Sequence, residues 1–180
     1  MSRIDETRPF HPVRIAVLAI SDTRTLAEDT SGGVLVDRLT RAGHTLGARH
    51  VLPDERTRIA AQLRQWIDTP EIDVILTTGG TGLTGRDVTI EAHRDVYDKE
   101  IEAFATVFTI ISMRKIGTSA VQSRATGGVS GGTYLFALPG SSGACKDAWD
   151  EILQYQLDYR HRPCNFVEIL PRLDEHLRRK

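Results

Sequence analysis

Four glycines and three threonines lie between Thr78 and Gly85, in the run T-G-G-T-G-L-T-G, and Arg86-Asp87 closes it. Glycine removes side-chain bulk, permits positive φ and lets backbone N–H groups converge on an anion. Thr78, Gly79, Gly80, Thr81 and Gly82 are therefore candidate anion-binding positions. Arg86 can pair with a phosphate, although a salt bridge within the protein would use the same side chain. Asp87 follows a strand end, and so does Asp54, so both carboxylates can converge at the carboxyl edge of one sheet. Two carboxylates in that position suit a hard cation such as Mg²⁺. Each aspartate also has a plainer reading as a helix cap, Asp54 for the helix after it and Asp87 for one beginning near Thr89.

Two standard fingerprints overlap this loop and neither fits its context. The spacing Gly80 to Gly85 satisfies G-x-x-x-x-G, but Arg86-Asp87 stands where a phosphate-binding P-loop needs Lys and then Ser or Thr. The same glycines satisfy G-x-G-x-x-G, whose usual place is the turn after the first strand. Here that turn is Ser21-Asp22-Thr23-Arg24, which has no glycine. An NAD-binding oxidoreductase is accordingly a distant alternative. Ser21 and Asp22 instead make a second candidate wall of the site, on the same sheet edge as the glycine loop.

These residues need a scaffold, and the chain alternates strand and helix patterns as a layered α/β fold does. Val13 to Ile20 is almost wholly apolar and reads as the first buried strand, Thr45 to Leu52 as the second, and Val74 to Leu76 as the strand feeding the glycine loop. Asp29, Thr30 or Ser31 caps a helix with Leu35, Leu39 and Ala42 on one face and Gly43 as its stop. Ile59, Leu63, Trp66 and Ile67 recur at helical spacing after Pro53-Asp54-Glu55. The longest helix is expected from Tyr97 or Asp98 to about Lys115. Ile101, Phe104, Val107, Phe108, Ile110 and Ile111 cover so much of it that it must bury a second face, in a subunit interface or within the monomer. Ala125 to Leu138 reads as a hairpin turning at Gly131-Gly132. Leu138-Pro139-Gly140-Ser141-Ser142-Gly143 then forms a second glycine loop opening a helix, a place for an anion. The tail from Tyr159 is expected to wrap over a neighbour or fray.

Composition excludes several classes of function. The chain has 180 residues, 40% hydrophobic and 26% charged, with a formal net charge of -1. That describes one domain, expected over 13–180 after a flexible polar segment 1–12, and gives no electrostatic footprint for nucleic acid. No apolar run approaches the ~18 residues of a membrane span, and the N-terminus lacks a signal-peptide core, so a cytoplasmic location is expected. Two cysteines and six histidines show no zinc-ligand spacing, so no zinc is expected and any metal would be a hard ion held by carboxylates and phosphate oxygens.

With both glycine loops in view, the sequence resembles the MoaB/MogA family of molybdenum cofactor biosynthesis proteins over nearly its whole length. The matching pieces are Asp29-Thr30-Ser31-Gly32, Ala42-Gly43-His44, Thr77-Thr78-Gly79-Gly80-Thr81-Gly82 and Arg86-Asp87-Val88-Thr89. Ile116-Gly117-Thr118-Ser119, Gln122-Ser123-Arg124-Ala125, Leu138-Pro139-Gly140-Ser141 and Arg162-Pro163-Cys164-Asn165-Phe166 complete them, the last few pointing to the B-type branch. The resemblance implies a three-layer α/β/α fold with a mainly parallel central sheet, molybdopterin as ligand, and a homo-trimer or a hexamer of two trimers. It also implies adenylylation of molybdopterin by Mg-ATP with release of pyrophosphate, with Asp87 and Asp54 as catalytic and metal-holding residues and Arg86 on a phosphate. Ser123, Pro139, Gly140, Ser141 and Ser142 would hold the pterin side by analogy, and other proteins of the pathway would be further partners. Ser141-Ser142-Gly143 departs from the P-G-x-P of the transferase branch, so a non-catalytic molybdopterin carrier is the alternative.

Overall fold

A computed structural model describes residues 3–178. Its strands are β1 (Arg3–Ile4), β2 (Arg14–Ile20), β3 (Thr45–Leu52), β4 (Val74–Thr78), β5 (Lys99–Glu100), β6 (Thr126–Ser130), β7 (Thr133–Leu138) and β8 (His161–Arg162). The helices that matter to the site are α1 (Thr30–Arg41), α2 (Arg56–Ile67), α3 (Thr89–Arg94), α4 (Glu102–Ile116) and α5 (Ser142–Ala148). Six strands form one sheet in the order β3-β2-β4-β7-β6-β5. β3, β2, β4 and β7 run parallel, while at one edge β6 pairs antiparallel with β7 and β5 pairs antiparallel with β6. The expected α/β fold with a mainly parallel central sheet is thus the observed one.

The strand sequences fix which helix lies on which face, because successive side chains of a strand point to opposite sides. On β2, Ile15 and Val17 face a core closed by Leu35 and Leu39 of α1, Phe104 and Phe108 of α4, and Cys145 of α5. Ala16, Leu18 and Ile20 face a second core closed by Ile59, Leu63 and Trp66 of α2 and Ala92 of α3. Helices therefore cover both faces, which is why the central strands β4 and β7 are buried at every position and are mostly apolar. Asp29 is the cap of α1, its side chain accepting from Gly32 N–H, and Gly43 follows the helix at φ 91°. The hairpin turns at Gly131, at φ 55°, where Asp98 accepts from its N–H at 2.7 Å.

Three expectations need correction. The longest helix begins at Glu102, not at Tyr97 or Asp98, because Lys99 and Glu100 pair with Val129 and Gly128 as an edge strand. Tyr97 is held there by Gly128, where any Cβ would stand 2.4 Å from the tyrosine ring. Asp54 does not cap α2: Glu55 occupies the cap position, without a side-chain bond. Nor does the described part of the tail fray: it packs on its own chain. His161–Arg162 pairs antiparallel with Arg3–Ile4, Asn165 accepts from Glu168 N–H, and Tyr134 Oη donates to Phe166 O at 3.0 Å. Residues 4–10 of the segment expected to be flexible share in this packing, with Arg8 3.7 Å above the Tyr159 ring and Phe10 beside His44. Residues 1 and 2 lie outside the described part.

Candidate functional site

The sheet order creates the site. The chain leaves β2 for α1 on one face and leaves β4 for α3 on the other, so the loops after these neighbouring strands diverge and open a crevice at their carboxyl ends. A cleft of about 270 Å³ lies there, and Ser21, Asp22, Asp54, Gly80, Asp87 and Gly140 are among its lining residues. It thus brings together the ends of β2, β3, β4 and β7. Beyond Ser21, Asp22 and Arg24 the surface continues into a shallower groove of about 470 Å³ against the edge strand β3.

The glycine loop is shaped by three close approaches. Gly79 (φ 99°) passes so near β2 that a Cβ would stand 2.3 Å from Ile20 O, so only glycine fits. Gly80 (φ 62°) turns beneath Asp54 and Thr89, whose Oδ1 and Oγ1 lie 2.3 and 2.5 Å from the point where its Cβ would be. Gly140 of the second loop lies against Gly79 Cα, 3.1 Å from its own missing Cβ. Asp87 closes the far end: Thr84 N–H and Oγ1–H both donate to its Oδ2, at 2.8 and 2.6 Å. It does not cap α3, whose cap position is Val88. These bonds hold the Asp87 carboxyl below the usual range.

Asp22 and Arg86 face each other across the cleft mouth. Arg86 Nη2 donates to both Asp22 oxygens (2.7 and 2.8 Å) and Nε adds a third bond at 3.1 Å. This lowers the Asp22 carboxyl, an effect aided by the Asp54 N–H that donates to it at 3.1 Å. Asp54 is different. Among the described residues its carboxylate takes no hydrogen bond, and burial, then the negative charges of Asp22 and Asp87, push its pKa up against the opposing charge of Arg86. A carboxylate that is partly desolvated and unbonded, with two others near it, is one that can accept a cation.

No group of three or more His, Cys, Asp or Glu side chains gathers closely enough to hold a metal among the described residues. A site with at most two protein carboxylates still fits Mg²⁺, which keeps several waters and takes the rest of its shell from substrate phosphates. Asp54 and Asp87 are the residues that would hold it.

Several other candidates have different surroundings. Thr78 is buried and donates to Pro139 O at 3.0 Å, with Cys145 Sγ at 3.1 Å, so it ties the two glycine loops together from beneath. Thr81 is buried and offers its carbonyl to Arg124. Ser141 caps α5 by accepting from Ala144 N–H, and Ser142 begins that helix. Thr78, Thr81, Gly82, Arg86, Ser123, Pro139, Ser141 and Ser142 are not among the residues lining the cleft.

One organising residue went unassigned in the sequence reading. Arg124 Nε donates to Thr81 O (2.9 Å) and Gly82 O (3.0 Å), and its Nη1 pairs with Glu91 at 2.6 Å. It clamps the glycine loop onto α3 from 37 residues beyond Asp87, whose carbonyl it also reaches. Its only sequence signal was its place in Gln122-Ser123-Arg124-Ala125. Asp29 was read only as a cap; it also lines the cleft, and Arg49 Nη2 donates to its Oδ2 at 3.0 Å.

Residues 16–159 match the family described as "Probable molybdopterin binding domain". The chain therefore belongs to the MoaB/MogA family of molybdenum cofactor biosynthesis proteins, and its role lies in molybdenum cofactor biosynthesis. It is 46% identical over 157 residues to molybdenum cofactor biosynthesis protein B of Escherichia coli K12, covering 87% of this chain and 92% of that one. A crystal structure of a molybdenum cofactor biosynthesis protein B superposes with a TM-score of 0.80 at 36% identity, covering 96% of this chain and all (100%) of that one. The tungsten cofactor synthesizing protein MoaB of Pyrococcus furiosus superposes with a TM-score of 0.75 at 30% identity, covering 91% and 98%. Among the described residues no helix is long and apolar enough to cross a membrane.

Proposed function

We propose that this protein binds molybdopterin and adenylylates it with Mg-ATP. A phosphate oxygen of molybdopterin bonds to the α-phosphorus of ATP, the bond from that phosphorus to the bridging oxygen breaks, and pyrophosphate leaves with the electron pair. The observation that carries this reading is Asp54: a carboxylate without a hydrogen bond, facing Asp22 and Asp87 at the switch point of the sheet. Phosphoryl-type transfer asks little covalent work of a protein and depends on charge neutralisation and alignment. Bound Mg²⁺ supplies charge neutralisation on the reacting phosphates. Asp54 and Asp87 hold the cation, and the backbone of Gly79 to Gly82, clamped by Arg124, presents a fixed wall to the phosphates. The groove beyond Ser21, Asp22 and Arg24 gives the rest of the nucleotide room that a 270 Å³ cleft lacks. Pro139, Gly140, Ser141, Ser142 and Ser123 border the pterin side in this reading. Purified protein incubated with molybdopterin and Mg-ATP should form molybdopterin-AMP and pyrophosphate.

One observation favours a non-catalytic carrier. Arg86, the residue assigned to a phosphate, already spends three bonds on Asp22 and must release it to act. Tight molybdopterin binding without AMP transfer would establish that alternative in the same assay.

We further propose that the chain works as a trimer or hexamer. α4 buries Phe104, Phe108 and Ile111 but leaves Val107, Ile110, Met113 and Ile116 between 42 and 53% exposed. An apolar face of this kind on a surface helix marks an association site. Light scattering is expected to give three or six times the 20.0 kDa chain mass. A monodisperse monomer at micromolar concentration would refute it.

A further inference from the structure

Thr89, the first residue of α3, is fully buried, and its Oγ1 has no hydrogen-bond partner among the described residues. A buried hydroxyl left unpaired destabilises the fold that contains it, so it calls for an explanation. Its position supplies one. Thr89 N–H donates to Gly80 O at 2.9 Å, which pins the hydroxyl above the glycine. There it converges with Asp54 Oδ1, the two oxygens lying 2.5 and 2.3 Å from the point where a Cβ of Gly80 would be. The bare glycine is what lets a donor without an acceptor and a carboxylate without a donor approach the same point. No hydrogen bond joins them in the free chain.

We propose that Thr89 is a positioning residue for Asp54: its hydroxyl is the donor reserved for the Asp54 carboxylate when that carboxylate turns to hold a cation. The proposal rests on the reading of Asp54 as a metal-holding residue. Carboxylates that ligate metals are themselves hydrogen-bonded by an outer shell, which fixes the oxygen that faces the metal. Thr89 is placed to do this from behind the glycine loop, where the cleft itself gives no sign of it. A hydroxyl needed for packing alone would have found a partner in the free fold, as Thr77, Thr78 and Thr133 do.

Thr89→Val keeps the shape and removes the hydroxyl, and Thr89→Ser keeps the hydroxyl. Mn²⁺ serves as probe, titrated calorimetrically into wild type and both variants in the presence of ATP, with melting temperatures measured alongside. Thr89→Val is expected to melt no lower than wild type and to bind Mn²⁺ about tenfold more weakly, the effect of losing one hydrogen bond to a charged group. Thr89→Ser is expected to bind as wild type does. Equal Mn²⁺ affinity in wild type and Thr89→Val would overturn the role of Thr89 while leaving the metal reading intact. A melting temperature that falls together with affinity would mark a structural role and overturn it too. Wild type taking up no Mn²⁺ would overturn the metal reading, and Thr89's role with it.

Discussion

Replacing Asp54 with Asn is expected to leave the melting temperature at or above that of wild type while lowering AMP transfer to molybdopterin on the order of a hundredfold or more. The two effects differ in sign for one reason. Among the described residues the Asp54 carboxylate takes no hydrogen bond, and burial, then Asp22 and Asp87, disfavour its charge, so that charge opposes folding. Removing that charge relieves the protein. The same charge is what a cation would use, so its removal raises the barrier to transfer. Asp87→Asn should behave differently, because Asp87 Oδ2 accepts from both Thr84 N–H and Thr84 Oγ1–H. An amide oxygen accepts these bonds more weakly than a carboxylate, so this variant should lose about 1 kcal/mol of stability as well as activity. Nothing in the sequence marks Thr84 as the partner of Asp87. Thermal melts and AMP-transfer rates on the two variants side by side give the check. Wild-type rates in Asp54→Asn would remove Asp54 from the mechanism, and a large drop in its melting temperature would mean that its carboxylate is structural.

The alternation of apolar runs made the parallel sheet legible, and the glycines made the β4 loop legible, because both depend on local chemistry. Pairings across the chain were not. Arg86 and Asp22 were each named as site residues, yet 64 residues separate them and only the placement of β2 beside β4 makes them partners. Thr78 looked like part of the ligand loop because it precedes Gly79. Strand alternation carries on through it, however, and turns its hydroxyl inward to Pro139 and Cys145. Arg124 was invisible as a clamp since two of its targets are the Thr81 and Gly82 carbonyls, which leave no trace in sequence, and another, Glu91, lies 33 residues away. Thr89 was quoted within a motif but given no role, for what singles it out is a missing hydrogen bond. The boundary of α4 was misplaced for a related reason. Tyr97 to Ile101 is compatible with helix by composition, and the exposed edge of β6 captures Lys99–Glu100 within it as a strand instead.

Acidification from pH 7 to pH 5 is expected to lower the folding stability by about 4 kcal/mol, through two buried histidines that the fold keeps neutral. His93 is wholly enclosed, with Nε2 2.9 Å from Thr77 Oγ1 and Nδ1 3.1 Å from Tyr97 Oη, and burial lowers its pKa to about 3. His44 accepts the Val13 N–H at Nδ1 (3.3 Å) between the Phe10 and Trp149 rings. Burial lowers its pKa to about 4 against the opposing pull of Asp158. Protonating that nitrogen would also break the bond it accepts. In the unfolded chain both imidazoles titrate near ~6.5. Below that pH the unfolded state therefore binds two protons that the folded state refuses, and stability falls by about 1.4 kcal/mol per pH unit for each group. The loss runs from pH 6.5 down to the folded values near 4 and 3, where the folded protein takes up the protons too. Asp54 and Asp73, whose carboxyls burial pushes up, act in the opposite direction but are moved less. A loss of this size is a large share of the ~5–15 kcal/mol that holds a domain folded. Urea midpoints at pH 7 and pH 5 measure it, and an unchanged midpoint would sink the expectation. His44→Phe separates the contributions: with one titrating ring removed, about half of the pH dependence should disappear, whatever the substitution does to stability at pH 7.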